Sequence, residues 1–412
     1  MTASEFNFFQ QWYPLAPLED LEPDRPMPVM VLGCRLVIWK PGSATQYRVF
    51  FDRCPHRLAP LSEGRIDEET GHLMCSYHGW QFNEAGLCTH IPQGDRPQGE
   101  TQNAEGDPGD QKTYCVTALP TQEVNDLLWV WLDPASASMA QNSPLPLSPL
   151  VDASRGFVWS SMVRELEYDW QTLIENLADP AHVPFAHHGV QGNRKSGRPI
   201  PLTISASTAT SIQAETSGNF KTKITFTPPC HLEYTINFGG DRQIGLVTYC
   251  VPVSPGKSRL VAQFPRNFSQ GLHRWIPRWW NHIMVRNEVL DGDMILLHYQ
   301  EQEMQRQSAT QSWKTAYKMP TSADRLVIEF RRWLDRYTPQ PLPWGILGAT
   351  PLHPLFDRPK LLDRYHQHTL LCRSCRQALT TIQRLQLGLI IYFILALSTA
   401  AIMPDHLRLT VS

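Results

Sequence analysis

The segment CPHRLAPLSEGRIDEETGHLMCSYHGWQF, from Cys54 to Phe82, constrains this chain more than any other. It places Cys54 and His56 in one pair and Cys75 and His78 in a second. Four soft ligands in two pairs predict a metal site. A Cys₂His₂ set suits zinc, but zinc fingers pair Cys with Cys and His with His. Here each pair mixes one Cys with one His, which suits a two-iron cluster with unlike ends. Two thiolates then hold one iron and two imidazoles hold the other. Neutral imidazoles remove negative charge from the reduced cluster and raise its potential above that of an all-Cys cluster. Pro55, Tyr77 and Trp80 are placed to shield it from water. Such a cluster moves single electrons, so a second site must use them.

That site is predicted in ENLADPAHVPFAHH, Glu175 to His188. His182 and His187 together with a distant carboxylate make the facial triad that holds non-haem Fe(II) and leaves positions open. Asp179 is placed to accept a hydrogen bond from one of the histidines and fix its tautomer, with Asn176 just before it. Two surface histidines are the bland alternative, and His188 competes with His187 as ligand. The carboxylate is sought in NEVLDGDMILLHYQE, a predicted helix carrying Asp291 and Asp293.

With 412 residues the chain has room for two domains with substantial cores. β-rich runs occupy the first third: PVMVLG, RLVIWK, QYRVFF and LLWVWL. The Pro- and Ser-rich stretch from Asp133 marks a boundary. A helical patch follows from about Tyr168, then strands between Pro201 and Phe264, then a long helical region from His273 to Gln307. A net charge of −2 argues against nucleic acid as partner. Nine scattered cysteines, with no secretory signal in front, favour a reducing compartment over a disulfide framework.

The uncharged run from Leu387 to Met403, about 17 residues, is at the lower limit for a transmembrane helix. A buried core or dimer helix is the alternative. Arg373, Arg376 and Arg384 before it outweigh Arg408 after it, which places the catalytic part on the cytoplasmic side. No organelle transit extension is evident, which disfavours a plastid. Cys372-Arg-Ser-Cys375 reads as a redox-regulated dithiol, as half of a metal site, or as two ordinary cysteines. The flanking arginines favour a reactive thiolate.

The chain resembles Rieske-type non-haem iron oxygenases, in particular the pheophorbide a oxygenase branch. WYPLAPLEDL, the two cluster motifs, IPQ (Ile91 to Gln93), ENLADPAHVPFAHHG, FPRN (Phe264 to Asn267), MPTSADR (Met319 to Arg325) and the tail DRYHQHTLLCRSC from Asp363 carry the resemblance. It implies an α+β chain in three parts. An all-β [2Fe-2S] domain spans 1–140, a helix-grip catalytic domain with a curved antiparallel sheet spans 141–365, and a tail with a membrane helix spans 366–412. It implies Asp293 as the iron carboxylate, because Asp293 and Gln300 keep the family spacing, with Asp291 as alternative. Ring trimers are implied, in which Asp179 bridges a cluster histidine of one subunit and an iron histidine of its neighbour. So is a thioredoxin-responsive pair at Cys372 and Cys375, and, with a plastid disfavoured, a cyanobacterial membrane as the location.

The expected activity is oxygenation of a chlorophyll-derived tetrapyrrole, pheophorbide a foremost, with reduced ferredoxin and O₂. Another chlorophyll precursor or aromatic substrate is the alternative, as is an electron-transfer or redox-sensing membrane component. HRWIPRWW, His273 to Trp280, is placed in a tetrapyrrole pocket, at a bilayer interface or in the core.

Overall fold

The computed structural model of the chain describes residues 6–42, 44–94, 114–217, 220–308, 312–338, 342 and 354–402. Met403 and Arg408, used above for the span and its orientation, lie outside them. Among the described residues, three small antiparallel sheets make up the N-terminal part. The first pairs Trp12–Pro17 with Leu127–Trp131 and Thr121–Val124. The second joins Met27–Val31, Cys34–Trp39, Arg48–Phe51 and Ala118–Leu119, and the third runs from Arg65–Ile66 to Cys88–His90. Each β-rich run singled out in the sequence is a strand here.

Leu127–Trp131 is buried at every position. A strand buried on both faces reads as a continuous apolar run, and its far face meets the larger C-terminal sheet. Trp129 packs edge-on to Tyr249 of that sheet, with ring centroids 5.1 Å apart. Trp12, Trp129 and Trp131 therefore share one core with Tyr249, Leu260 and Phe330, while a separate small core surrounds Cys54, Cys75 and Trp80. The backbone N–H groups of Leu32 and Gly33 donate to Pro252 and Val253 carbonyls and stitch the two parts together.

The larger sheet is antiparallel and seven-stranded among the described residues. In order it holds Ser161–Leu166, Lys257–Gln263, Gln243–Ser254, His231–Asn237, Lys221–Thr227, Ile212–Ser217 and Leu202–Ser207. Helices grip it: α1 (Trp170–Ala178), the short α2 (Val183–Ala186), α3 (Asn287–Ser308) and α4 (Arg325–Tyr337). α4 packs Leu326, Phe330 and Trp333 inward at helical spacing and lies on the strands Leu202–Ser207 and Ile212–Ser217.

Two features were not legible in advance. The stretch after Asp133 contains a helical turn and the short helix Ala137–Asn142, started by the Asp133 carboxylate accepting from the Ala135 N–H. Ser161–Leu166 is an interior-facing edge strand disguised by two charges. Its Arg164 is fully buried and donates to Asp291 Oδ1 at 2.6 Å and Gln367 Oε1 at 2.8 Å.

The final helix, α5 (Arg373–Ile402), is long and apolar enough to cross a membrane, and its apolar stretch is exposed throughout. Trp275 and Trp280 are exposed as well, so neither is core.

Candidate metal centres

The two cysteine–histidine segments fold into matching loops. The Cys54 N–H donates to the Ala59 carbonyl and the Leu58 N–H to the Cys54 carbonyl. Likewise the Cys75 N–H donates to the Trp80 carbonyl and the Gly79 N–H to the Cys75 carbonyl. Each loop needs a left-handed residue one position before it closes, at Leu58 (φ 60°) and Gly79 (φ 73°). Gly79 bears this without cost, and a Cβ there would come within 2.8 Å of Pro92. Leu58, a branched residue in that region, holds strain of about 1–2 kcal/mol. The buried Asp52 carboxylate steadies the first loop, accepting from the Ser62 N–H and hydroxyl at 2.8 Å each and from Arg35 at 3.1 Å.

The loops bring all four predicted ligands together. Cys54 and Cys75 are buried, and the His56 and His78 rings stand 4.4 Å apart, with His56 stacked on Trp80 at 4.8 Å. Burial pushes the Cys54 thiol up to about 12. A thiolate there is stable only with a cation bound to it. His56 Nδ1 is buried with no hydrogen-bond partner. An orphaned ring nitrogen beside two buried thiols fits a [2Fe-2S] cluster with unlike ends.

The second centre is built by a helix end, a turn and a facing helix. α1 starts at Asp169, whose carboxylate accepts from the Gln171 N–H, and stops at Ala178 because Asp179 precedes Pro180 and is extended. Pro184 then sits in the first turn of α2. These two prolines set His182 and His187 on either side of one short turn. Their Nε2 atoms face each other at 3.1 Å. Asp293 Oδ2 lies 3.4 Å from His187 Nε2, and the three ligand atoms fall within 4.8 Å of one another. Gly292 lets α3 approach this turn, since a Cβ there would meet the Ala186 carbonyl at 2.8 Å.

Asp291 and Asp293 are about 200° apart around the helix, so they cannot both face the histidines. Asp291 instead pairs with Arg164 and, at 2.6 Å, with Arg364. Asp293 is buried, and burial raises its carboxyl to about 6 against the lowering effect of His182 and the Asn176 amide. Burial likewise lowers His187 to about 4. A buried carboxylate whose partners among the described residues are the Asn176 amide and two imidazoles presenting nitrogens fits a divalent metal. Asn176 Nδ2 lies 3.5 Å from His182 Nε2, at the rim of this centre.

Asp179 is placed differently from the sequence reading. Its backbone carbonyl, and not its carboxylate, takes the hydrogen bond from His182 Nδ1. The carboxylate Oδ1 accepts from the Ala181 N–H at 2.8 Å, while Oδ2 stays 3.9 Å from His182 Nδ1 and partly exposed. His188 turns away and accepts from the Arg194 N–H.

A model of the Rieske [2Fe-2S] domain matches residues 11–114, and one of pheophorbide a oxygenase matches residues 226–311. The chain is 38% identical to the chloroplast pheophorbide a oxygenase of Oryza sativa, over 93% of this chain and 75% of that one. The chain belongs to the pheophorbide a oxygenase family. It is thus a Rieske non-haem iron oxygenase, with a [2Fe-2S] cluster and a mononuclear iron as cofactors and ferredoxin, O₂ and a small molecule as partners. It is also 33% identical to flavonoid 8-hydroxylase 2 of Ocimum basilicum, over 93% of this chain and 76% of that one. In fold it is similar to dicamba monooxygenase bound to dicamba, with a TM-score of 0.63 and 19% identity, covering 81% of this chain and 98% of that one.

These relatives from plants are chloroplast proteins, which overturns the expectation of a cyanobacterial membrane with the catalytic part on the cytoplasmic side. The leader argument behind it fails because this chain spans 75% of the rice protein's length, so its first residue says nothing of a leader.

Proposed function

We propose that this family member oxygenates a chlorophyll-derived tetrapyrrole, with pheophorbide a the first compound to test. The observation that carries this reading is the 38% identity to a pheophorbide a oxygenase across nearly the whole chain, joined to the convergence of His182, His187 and Asp293 and to the buried Cys54 and Cys75 beside the paired His56 and His78 rings. Cys54, Cys75, His56 and His78 would hold the cluster, and His182, His187 and Asp293 would hold the iron. When bound, these groups supply single electrons and a coordination site at which O₂ is reduced. The chain's own residues fix geometry and protons. The Asp179 carbonyl keeps the proton of His182 on Nδ1, leaving Nε2 free to ligate. Asn176 offers its amide to Asp293 and orients that carboxylate.

The cluster loops and the iron turn both present apolar residues to solvent: Leu58 is 69% exposed, Tyr77 62% and Phe185 61%. Apolar tips beside each centre support a homotrimer in which one subunit's cluster loops dock on its neighbour's iron turn. Asp179 Oδ2, partly exposed at that turn, is then the acceptor for a cluster imidazole of the neighbour.

The test is product analysis by mass spectrometry with ¹⁸O₂, reduced ferredoxin and the loaded protein. Incorporation of label into pheophorbide a supports the reading. A second reading, hydroxylation of a flavonoid-type aromatic, rests on the flavonoid 8-hydroxylase similarity. Label in a flavone with none in any tetrapyrrole would favour it.

A further inference from the structure

Away from both centres, four more metal-binding side chains converge: His282, His368, Cys372 and Cys375, all buried. We propose that they form a closed tetrahedral zinc site that fastens the root of α5 to the catalytic domain.

The distances match such a site. His282 Nδ1 and His368 Nε2 lie 3.1 Å apart, Cys375 Sγ is 3.3 Å from His368 Nε2, and both sulfurs are 3.6 Å from His282 Nδ1. A zinc ion with ordinary bond lengths to two nitrogens and two sulfurs sets N···N edges of about 3.4 Å and N···S edges of about 3.5 Å. The protons point the same way. His282 Nε2 faces the Ser161 carbonyl at 3.2 Å and His368 Nδ1 faces the Val163 carbonyl at 2.6 Å, both on one strand. Each carbonyl takes an N–H, so the two inward nitrogens are both lone-pair acceptors. Two acceptors held 3.1 Å apart repel, and a cation shared with the two sulfurs removes that repulsion. Backbone carbonyls behind metal-bound imidazoles are the usual outer support of such sites.

Charge and local structure agree. Two thiolates and a divalent ion sum to zero, which suits full burial. His282 lies in a π-helical turn, His282–Arg286, and His368 in another, Tyr365–Thr369. Such turns are rare and concentrate at functional sites. Four protein ligands leave no open position, so the site is structural. It ties α5 to the helical run that continues into α3 and carries Asp293. Asp20 and Glu22 reinforce the joint, Asp20 accepting from the Arg373 N–H at 2.8 Å and Glu22 pairing with Arg376. A dithiol that exchanges with thioredoxin needs an accessible sulfur, and both sulfurs here are buried.

The test uses the full chain, purified in detergent without chelator, with zinc and iron measured together. About one zinc per chain is expected beyond the cluster and mononuclear iron. Replacing it by Co(II) should give the intense visible bands of a tetrahedral ion with thiolate charge transfer. In Cys372→Ser/Cys375→Ser the zinc and these bands should vanish while the [2Fe-2S] spectrum remains, and proteolysis near the root of α5 should quicken. Wild-type protein that holds no zinc and, with thiols reduced, binds neither Zn(II) nor Co(II) stoichiometrically overturns the proposal, even if the variant fails to fold. So does a Cys372–Cys375 disulfide in protein purified without reductant, or zinc retained by the double variant. None of these readings depends on the substrate.

Discussion

Asp291 and Asp293 differ by two positions and by everything that surrounds them. Asp293→Ala should lower iron from about three per chain to about two and leave the cluster spectrum intact. Asp291→Ala strips the fully buried Arg164 of its carboxylate and should cost about 3–5 kcal/mol in unfolding free energy, with the mononuclear iron still bound in whatever folds. Iron analysis and chemical denaturation of the two variants side by side check this. If Asp291→Ala loses the iron and Asp293→Ala keeps it, the ligand roles are exchanged. Asp179→Asn is the companion variant. Since the backbone carbonyl orients His182 and the amide oxygen can still accept from Ala181, both metals should load normally. Turnover should nevertheless fall about 10- to 100-fold. Single-turnover oxidation of the cluster with substrate and O₂ reads this directly, and an unchanged rate would remove Asp179 from the path between centres.

At the scale of elements, the approach of α3 to the turn between α1 and α2 decides whether the ligands meet. Glycine inside a helix costs about 1 kcal/mol relative to alanine, and Gly292 carries that cost where a Cβ would strike the Ala186 carbonyl. Gly292→Ala should therefore weaken iron binding, measured by competition with a chelator, although it raises helix propensity. Tighter iron in that variant would show that the close approach is dispensable. The other end of α3 gives a pH signature. Glu301 accepts the Asp169 N–H at 2.5 Å, and burial pushes its carboxyl up to about 7. Its folded-state affinity for a proton exceeds that of the unfolded chain, which titrates near the ordinary glutamate value. Stability from this group is therefore full below about pH 4.5 and lost as pH rises through about 7. Denaturation across that window should show a decline on the order of 2 kcal/mol that Glu301→Gln lacks. Equal pH slopes in the two proteins would mean that Glu301 is ionised throughout.

For the whole molecule, the question is how two centres on different cores cooperate. Leu58 and Phe185 are apolar and exposed, one beside each centre. If subunits dock through them, Leu58→Asp or Phe185→Asp should weaken assembly by about 2 kcal/mol, roughly 30-fold in the association constant. Both variants should keep wild-type iron content. Sedimentation in detergent measures the assembly. Wild-type protein that is monomeric yet fully active would exclude the arrangement.

Sequence alone sufficed to propose Cys54, His56, Cys75 and His78 for the cluster and His182 and His187 for the iron, and to expect the β-rich N-terminal part that the strands show. Those features sit in short segments where spacing and local turn chemistry suffice: Cys54-Pro-His56, Cys75 to His78, and a turn punctuated by Pro180 and Pro184. Tertiary structure decided what depends on facing. Only the rotation of α3 against α2 separates Asp293 from Asp291, and only the fold shows that Asp179 holds His182 through its backbone. Arg164 was unreadable because a buried arginine in a strand resembles a solvated one until its partners on α3 and near α5 are known. His282 and His368 lie 86 residues apart. Neither spacing nor composition could place them against Cys372 and Cys375, because that juxtaposition is made by packing the turn Tyr365–Thr369 on the strand Ser161–Leu166 and the root of α5 against Arg278–Asn281.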